Sequence, residues 1–282
     1  MALFGRERLP ERTPDQLHAM RVAGLLVGRT LELLAGEVRP GLTTLDLDTL
    51  AETHIRDHGG VPNFQLVPGY RHTLCTSVGR EIVHGIPGDR VLAEGDLLSI
   101  DCGAEVEGWN GDAALTLVVG GDAAGDPEQV RLSEVTRRAL WAGIAALRPG
   151  GELNDVGGAV EDSIAADAAR DGRDYGVVED YTGHGIGEEM HLPPSVHNVR
   201  VRHRTPRTPV GTTIAIEPMV TLGTADSHVL ADDWTVVTDD GSAAAHWEHS
   251  VALTERGIWV LTALDGGEAE LTAAGAPFGP LT

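Results

Sequence analysis

Lysine is missing altogether, so every permanently cationic side chain is one of 21 arginines, set against 43 Asp and Glu. The resulting net charge of −22 weighs against nucleic acid or an anionic membrane as a partner. Cysteine is scarce: Cys75 and Cys102 form no CxxC pair and no regular framework, which excludes a disulfide scaffold and suits a reducing cytosol. Long apolar runs are also lacking, since none approaches the ~18 residues that span a bilayer. The opening MALFGRERLPERTPDQ has no apolar core of a secretory signal. The expectation is a cytoplasmic chain, and its 282 residues, 41% hydrophobic, are ample for a large core.

The first periodic segment begins at Thr13. In TPDQLHAMRVAGLLVGRTLELLAGEV, Leu17, Met20, Leu25, Val27, Leu31 and Leu34 recur at largely helical spacing, with Thr13 as N-cap, Pro14 at the first helical position and an end near Gly36. After Arg39-Pro40-Gly41 a second helix runs through TTLDLDTLAETHIRDHG and closes at Gly59-Gly60. The scheme then repeats. VRPGLTTLDLDTLAETHIRDHG from Val38 aligns with LRPGGELNDVGGAVEDSIAADA from Leu147 at a constant offset of 109, pairing Arg39 with Arg148, Asp46 with Asp155 and Glu52 with Glu161. A helical EQVRLSEVTRRALWAGIAAL precedes the second copy, as the first helix precedes the first. An internal duplication follows, with chemistry expected where the halves meet. Strand-like runs come after each helix pair: LLSIDCGAEV and WNGDAALTLVV, then TTIAIEPMV and HWEHSVALT. GGDAAGDPE, residues 120–128, reads as the linker between halves.

Each of those four strands contains a carboxylate: Asp101, Asp112, Glu217 and Glu248. Asp is depleted from strands, and an unpaired charge in an apolar sheet is too costly to leave uncompensated. The strands hold no arginine to pair with them, so a divalent cation is the better counter-charge. Four carboxylates and one imidazole form an oxygen-rich set suited to a pair of first-row divalent ions roughly 3.5 to 4 Å apart. His184, flanked by glycines in GHGIGEEMHLPP, is the candidate imidazole; His191 in the same stretch is placed to hydrogen-bond a substrate oxygen, and His84 sits in the Gly- and Pro-rich VHGIPGD. His18, His54, His58, His72, His203, His228 and His246 read as ordinary surface or core residues, and His197 and His249 are assigned no role.

With these residues assembled, the sequence resembles the type I methionine aminopeptidases of the pita-bread fold. The likeness runs through TPDQLHAMRVAG, RPG, GGVPNF, VHGIP, SIDCG followed by NGD, GHGIG with His191, IEPM, DDWTV and WEHSVALT, in order and over nearly the whole chain. It implies an α+β fold of two pseudo-symmetric halves, with a central antiparallel sheet covered by helix pairs. An N-terminal arm (1–12) would precede a single catalytic domain (13–265, halves 13–119 and 128–260), and a C-terminal tail (266–282) would follow. It further implies removal of the initiator methionine from new polypeptides whose second residue is small, by a monomer acting on nascent chain ends, at the ribosome or free of it. Asp101, Asp112, His184, Glu217 and Glu248 would hold two divalent ions (Co, Mn, Fe or Zn). Glu217 would also be general base, His191 would contact the scissile carbonyl, and His84 the amide nitrogen. Phe64, Tyr70, Cys75, Met190 and Trp234 would line the methionine pocket. The chain departs from the family at Gly79, where Asn is usual, and at Phe64, where Cys is frequent. The alternatives are an Xaa-Pro-type peptidase of the same fold and a non-catalytic binding homologue.

Overall fold

In the computed structural model, residues 9–281 are described. Helix α1 (Pro14–Glu37) starts where its capping chemistry dictates: Thr13 Oγ1 accepts from Gln16 N at 3.3 Å and Gln16 Oε1 accepts from Thr13 N at 2.9 Å. Helix α2 (Thr44–Asp57) repeats the device, with Thr43 capping and Asp46 reaching back to the Thr43 amide. The second half supplies α3 (Pro127–Ala145) and α4 (Asn154–Asp171), so each copy of the repeat is a helix pair, as its pattern requires.

The helix pairs cover a nine-stranded sheet in which every pairing is antiparallel. At its centre lie Leu97–Val106, Trp109–Val118, Glu248–Leu253 and Thr213–Ile216, side by side in that order. Leu26, Val27, Leu31 and Leu34 of α1 and Leu47 and Ile55 of α2 bury against Leu98, Ile100 and Cys102. Leu140 and Ile144 of α3 and Val156 of α4 bury against Ile214, Ile216 and Val251. Each half therefore has its own apolar layer, and the strands of the two halves adjoin where Trp109–Val118 pairs with Glu248–Leu253.

Two expected strands are each divided. TTIAIEPMV forms Thr213–Ile216 and Met219–Thr221, broken at Glu217-Pro218, and HWEHSVALT forms Ala244–His246 and Glu248–Leu253, broken at Trp247. The breaks face each other. Below them the two chains pair within the large sheet, above them within a separate three-stranded sheet, and only a long Trp247 N–H to Pro218 carbonyl contact of 3.4 Å bridges the bend. Pro218 has no N–H to continue the ladder, so the ribbon turns there from one sheet to the next. Glu217 and Glu248 stand at that corner.

The residues assigned to arm and tail also join the core, as far as they are described; residues 1–8 and 282 lie outside the described range. Leu9 is buried and Arg12 N donates to Gly211 O at 2.9 Å. A short α5 (Glu268–Ala273) buries Leu271 completely in the second half's apolar layer. Both cysteines are free and buried, and no helix among the described residues is long and apolar enough to cross a membrane.

Helix α1 approaches the sheet closely through glycine. A Cβ on Gly24 would collide with the backbone carbonyl of Leu261, and one on Gly111 would come within 2.8 Å of the Gly24 backbone. Gly24→Ala is therefore expected to destabilise the fold by about 1–3 kcal/mol, as overpacking against backbone does. Chemical denaturation checks it; a wild-type midpoint would show that the helix can shift without cost.

Candidate active site

The corner of the ribbon opens into a cavity of about 270 Å³ whose two ends differ in chemistry. At one end Asp101, Asp112, His184, Glu217 and Glu248 converge; at the other lie Phe64, Tyr70, Cys75, Met190 and Trp234. Strand register explains the first group. Asp101 and Glu248 both stand opposite Ala114, one from each flanking strand, and Asp112 is two residues away on the shared strand. Ser250 Oγ locks this seam, accepting from Asp112 N at 3.0 Å and donating to Asp112 O at 2.7 Å. His184, on Gly183–Gly185, brings Nε2 to 3.5 Å from Glu217 Oε1 and 4.0 Å from Asp112 Oδ2.

These groups form interlocking sets whose ligand atoms all lie within 4.8 Å of one another: Asp101, Asp112 and Glu248 in one, His184, Glu217 and Glu248 in a second, Asp112, His184 and His191 in a third. No arginine lines the cavity among the described residues, so the carboxylates have no fixed cation beside them. Their titration records the strain. Burial, with Glu217 adding to it, pushes the Asp101 carboxyl up to about 7 despite relief from His246. Burial likewise raises Glu217 to about 7, and burial plus the neighbouring carboxylates push Asp112 and Glu248 well above their usual range.

His191 follows in the same loop, its ring 4.5 Å from that of His184 and nearly perpendicular to it. The loop is held by Gly187 O, which accepts from both Asn110 N at 2.9 Å and Asn110 Nδ2 at 3.1 Å, and by the Arg12–Glu188 ion pair at 2.5 Å. His84 has a left-handed backbone, φ 59°, uncommon for a residue with a side chain and of the kind found at functional sites. Its ring meets Tyr181 edge-on at 5.5 Å, and burial, reinforced by His246, lowers its pKa to about 4.

At the apolar end, Phe64, Tyr70 and Cys75 form a cluster joined by Val67, Ile86, Met190 and Trp234. Tyr70 meets Phe64 edge-on at 6.4 Å and Trp234 at 4.9 Å, while its hydroxyl donates to Leu74 O at 2.7 Å. Burial, with Asp101 next to it, pushes the Cys75 thiol well up, so it remains a thiol.

A sequence comparison decides the lineage: residues 18–255 match the model of metallopeptidase family M24. The chain belongs to metallopeptidase family M24. Among M24 relatives, methionine aminopeptidase 1 of Mycobacterium tuberculosis is 47% identical over 92% of this chain and 97% of its own length. Methionine aminopeptidase 1 of Bacillus subtilis is 40% identical over 89% and 98% respectively. The crystal structure of methionine aminopeptidase from Thermotoga maritima superposes with a TM-score of 0.85 at 36% identity, covering 90% of this chain and 99% of that one. The architecture is the pita-bread fold of the M24 metallopeptidases, α+β with a curled antiparallel sheet, as the sequence led us to expect.

The M24 site fits a metal on its own chemistry. Asp101 Oδ1, Asp112 Oδ1 and Glu248 Oε1 are shut off from solvent without a hydrogen-bond partner, and in ionised form such oxygens call for a cation to answer them. Oxygen donors with one or two imidazoles suit first-row divalent ions.

All twelve residues singled out from the sequence line this one cavity: the five at its polar end, the five at its apolar end, and the two histidines His191 and His84. Among the lining residues not singled out, His246 lies nearest the carboxylates. His246, taken for an ordinary residue, is fully buried on the cavity wall with Nε2 3.7 Å from Glu217 Oε2. The available signal was its position two residues before Glu248, which in a strand puts both side chains on one face. His249, one residue on, points away and shares a 2.8 Å hydrogen bond with Thr262 Oγ1.

Proposed function

We propose that this M24 peptidase removes the N-terminal methionine from polypeptides whose second residue is small. The observation that carries the reading is a single cavity in which an arginine-free cluster of carboxylates and imidazole adjoins a pocket of aromatic and sulfur side chains. The relatives named methionine aminopeptidase, matched over nearly their full length, support it. Asp101, Asp112 and Glu248 would hold one divalent ion, and His184, Glu217 and Glu248 a second, with Co, Mn, Fe and Zn all compatible. When bound, such ions polarise the scissile carbonyl and lower the pKa of the attacking water.

The chain's own groups do the rest. Glu217 accepts the proton lost as water oxygen bonds to the carbonyl carbon, and returns it to the amine nitrogen as the C–N bond breaks. Neutral His191 donates a hydrogen bond to the carbonyl oxygen, and His84 contacts the leaving nitrogen. The unbranched thioether enters the Phe64, Tyr70 and Trp234 pocket. The Asp101 side of the cluster receives the substrate's free α-amino group, which restricts the enzyme to chain ends. Nascent polypeptides in the cytoplasm, met at the ribosome or after release, are the corresponding partners. With its negative charge the chain works as a monomer without nucleic acid or membrane.

Release of methionine from Met-Ala-Ser, with each metal supplied in turn, tests the function. Cleavage next to proline instead would favour the Xaa-Pro alternative, and peptide binding without hydrolysis a binding homologue. His191→Ala is expected to lower kcat about 10-fold to 1000-fold while metal stoichiometry is kept, the range for loss of one donor to a developing oxyanion. Loss of an ion on that substitution would make His191 a ligand, as the third cluster allows.

A further inference from the structure

The general base assigned to Glu217 has no hydrogen bond to its carboxylate among the described residues; only its backbone carbonyl is held, accepting from Asn198 Nδ2 at 3.1 Å. Under the ligand set proposed above one of its oxygens would face a cation, and the other needs something to hold it. Two imidazoles approach it, one for each oxygen: His184 Nε2 lies 3.5 Å from Oε1, and His246 Nε2 lies 3.7 Å from Oε2. His184 belongs to the proposed ligand set. His246 does not, since none of the ligand clusters includes it.

His246 is nonetheless built in rigidly. Its backbone N donates to Thr116 Oγ1 at 3.0 Å and its carbonyl accepts from the same hydroxyl at 2.7 Å, so the residue is fixed to the neighbouring strand at both ends. Ser99 Oγ, 2.8 Å from Thr116 Oγ1, fixes that hydroxyl in turn. The ring is 2% exposed, and Nε2 is sealed from solvent without a hydrogen-bond partner. Natural folds rarely leave such an atom unpaired away from functional sites. At 3.7 Å it lies just outside hydrogen-bond range of Glu217, and a small rotation of the flexible glutamate closes the gap.

We propose that His246 is a positioning residue for the reaction, its Nε2–H holding the Glu217 oxygen that His184 does not face and so fixing the plane of the carboxylate. This rests on the role given to Glu217 under Proposed function. The arrangement requires Nε2, not Nδ1, to carry the proton, and it requires a donor at that point but no basicity.

Three variants and two readouts test it. His246→Leu keeps volume without a donor, His246→Ala keeps neither, and His246→Gln restores an N–H at similar reach. On Met-Ala-Ser with saturating metal, H246L and H246A are expected to lower kcat about 10-fold to 100-fold, the penalty of a misaligned reacting group, with KM and metal per chain unchanged. H246Q is expected to return kcat to within about threefold of wild type, the recovery a restored donor should give. Nitrogen-15 NMR of histidine-labelled metal-loaded enzyme should find the Nε2–H tautomer at His246. Wild-type kcat in H246L or H246A, no recovery in H246Q, loss of a metal ion in any variant, or the Nδ1–H tautomer would each overturn the assignment. Should H246L fail to fold, H246A and H246Q carry the same comparison. Failure of the wild-type protein to release methionine is a separate result that strikes the proposed function, and the tautomer measurement stands apart from it.

Discussion

Replacing Glu217 with Gln is expected to lower kcat by about 10²-fold to 10⁴-fold, the contribution of a positioned general base, while the fold survives. Glutamine has nearly the same volume, and the carboxylate it replaces makes no hydrogen bond whose loss would unfold the corner; the Asn198 contact is to the backbone and persists. What disappears is the proton acceptor. A carboxylate can accept a proton from water and give it up again to the leaving amine, whereas an amide can do neither. The metal-free variant should melt no earlier than wild type, because one of four mutually repelling carboxylates is gone. The decisive measurement is kcat with metal content determined on the same sample. Undiminished turnover at full metal loading removes Glu217 from the role of base.

The site was legible in the sequence for a reason that does not depend on its tertiary structure: a charge in an apolar strand is a contradiction, and Asp101, Asp112, Glu217 and Glu248 present it four times. Helix α1 was equally plain, because Thr13 as cap and Pro14 at the first position write its start; Gln16, which completes the capping box, was not read. The duplication announced two helix pairs, and the site lies where the strands of the two halves meet. Less visible was the division of TTIAIEPMV and HWEHSVALT. Pro218 hinted at one break, but Trp247 carries no local signal; it breaks because the facing chain does, and that pairing is a long-range fact. The same pairing hid His246, whose contact with Glu217 arises only where the ribbon turns between sheets. The apolar pocket is non-local too: Tyr70 and Trp234 touch across 164 positions, and no periodicity reports such a contact.

Chelation is expected to abolish hydrolysis, and restoring a divalent ion should raise the melting temperature by an amount that grows between pH 5 and pH 8. The sign follows from the four carboxyls. Asp101 and Glu217 titrate at about 7 in the folded chain without metal, against about 4 for an unfolded one, and burial with the neighbouring carboxylates raises Asp112 and Glu248 well above their usual range too. Across that window the folded chain without metal holds more protons than the unfolded chain, so its stability falls as pH rises from about 4 through 7. A cation reverses the balance because it needs the ionised ligands: at pH 5 it must displace their protons, and at pH 8 it need not. Carboxyls with depressed values, such as Asp46 and Asp171, lend stability that is lost only as pH falls below 4, and they cancel when loaded and metal-free samples are compared at one pH. A metal at a hundredfold excess over its Kd adds about 2.7 kcal/mol, or about 5–10 °C for a chain of this size. Differential scanning calorimetry at several pH values, with chelator or with metal, measures the difference directly. A metal-induced rise that is larger at pH 5 than at pH 8 would mean that these carboxyls are not the ligands, and that the cavity's negative cluster answers to something other than a cation.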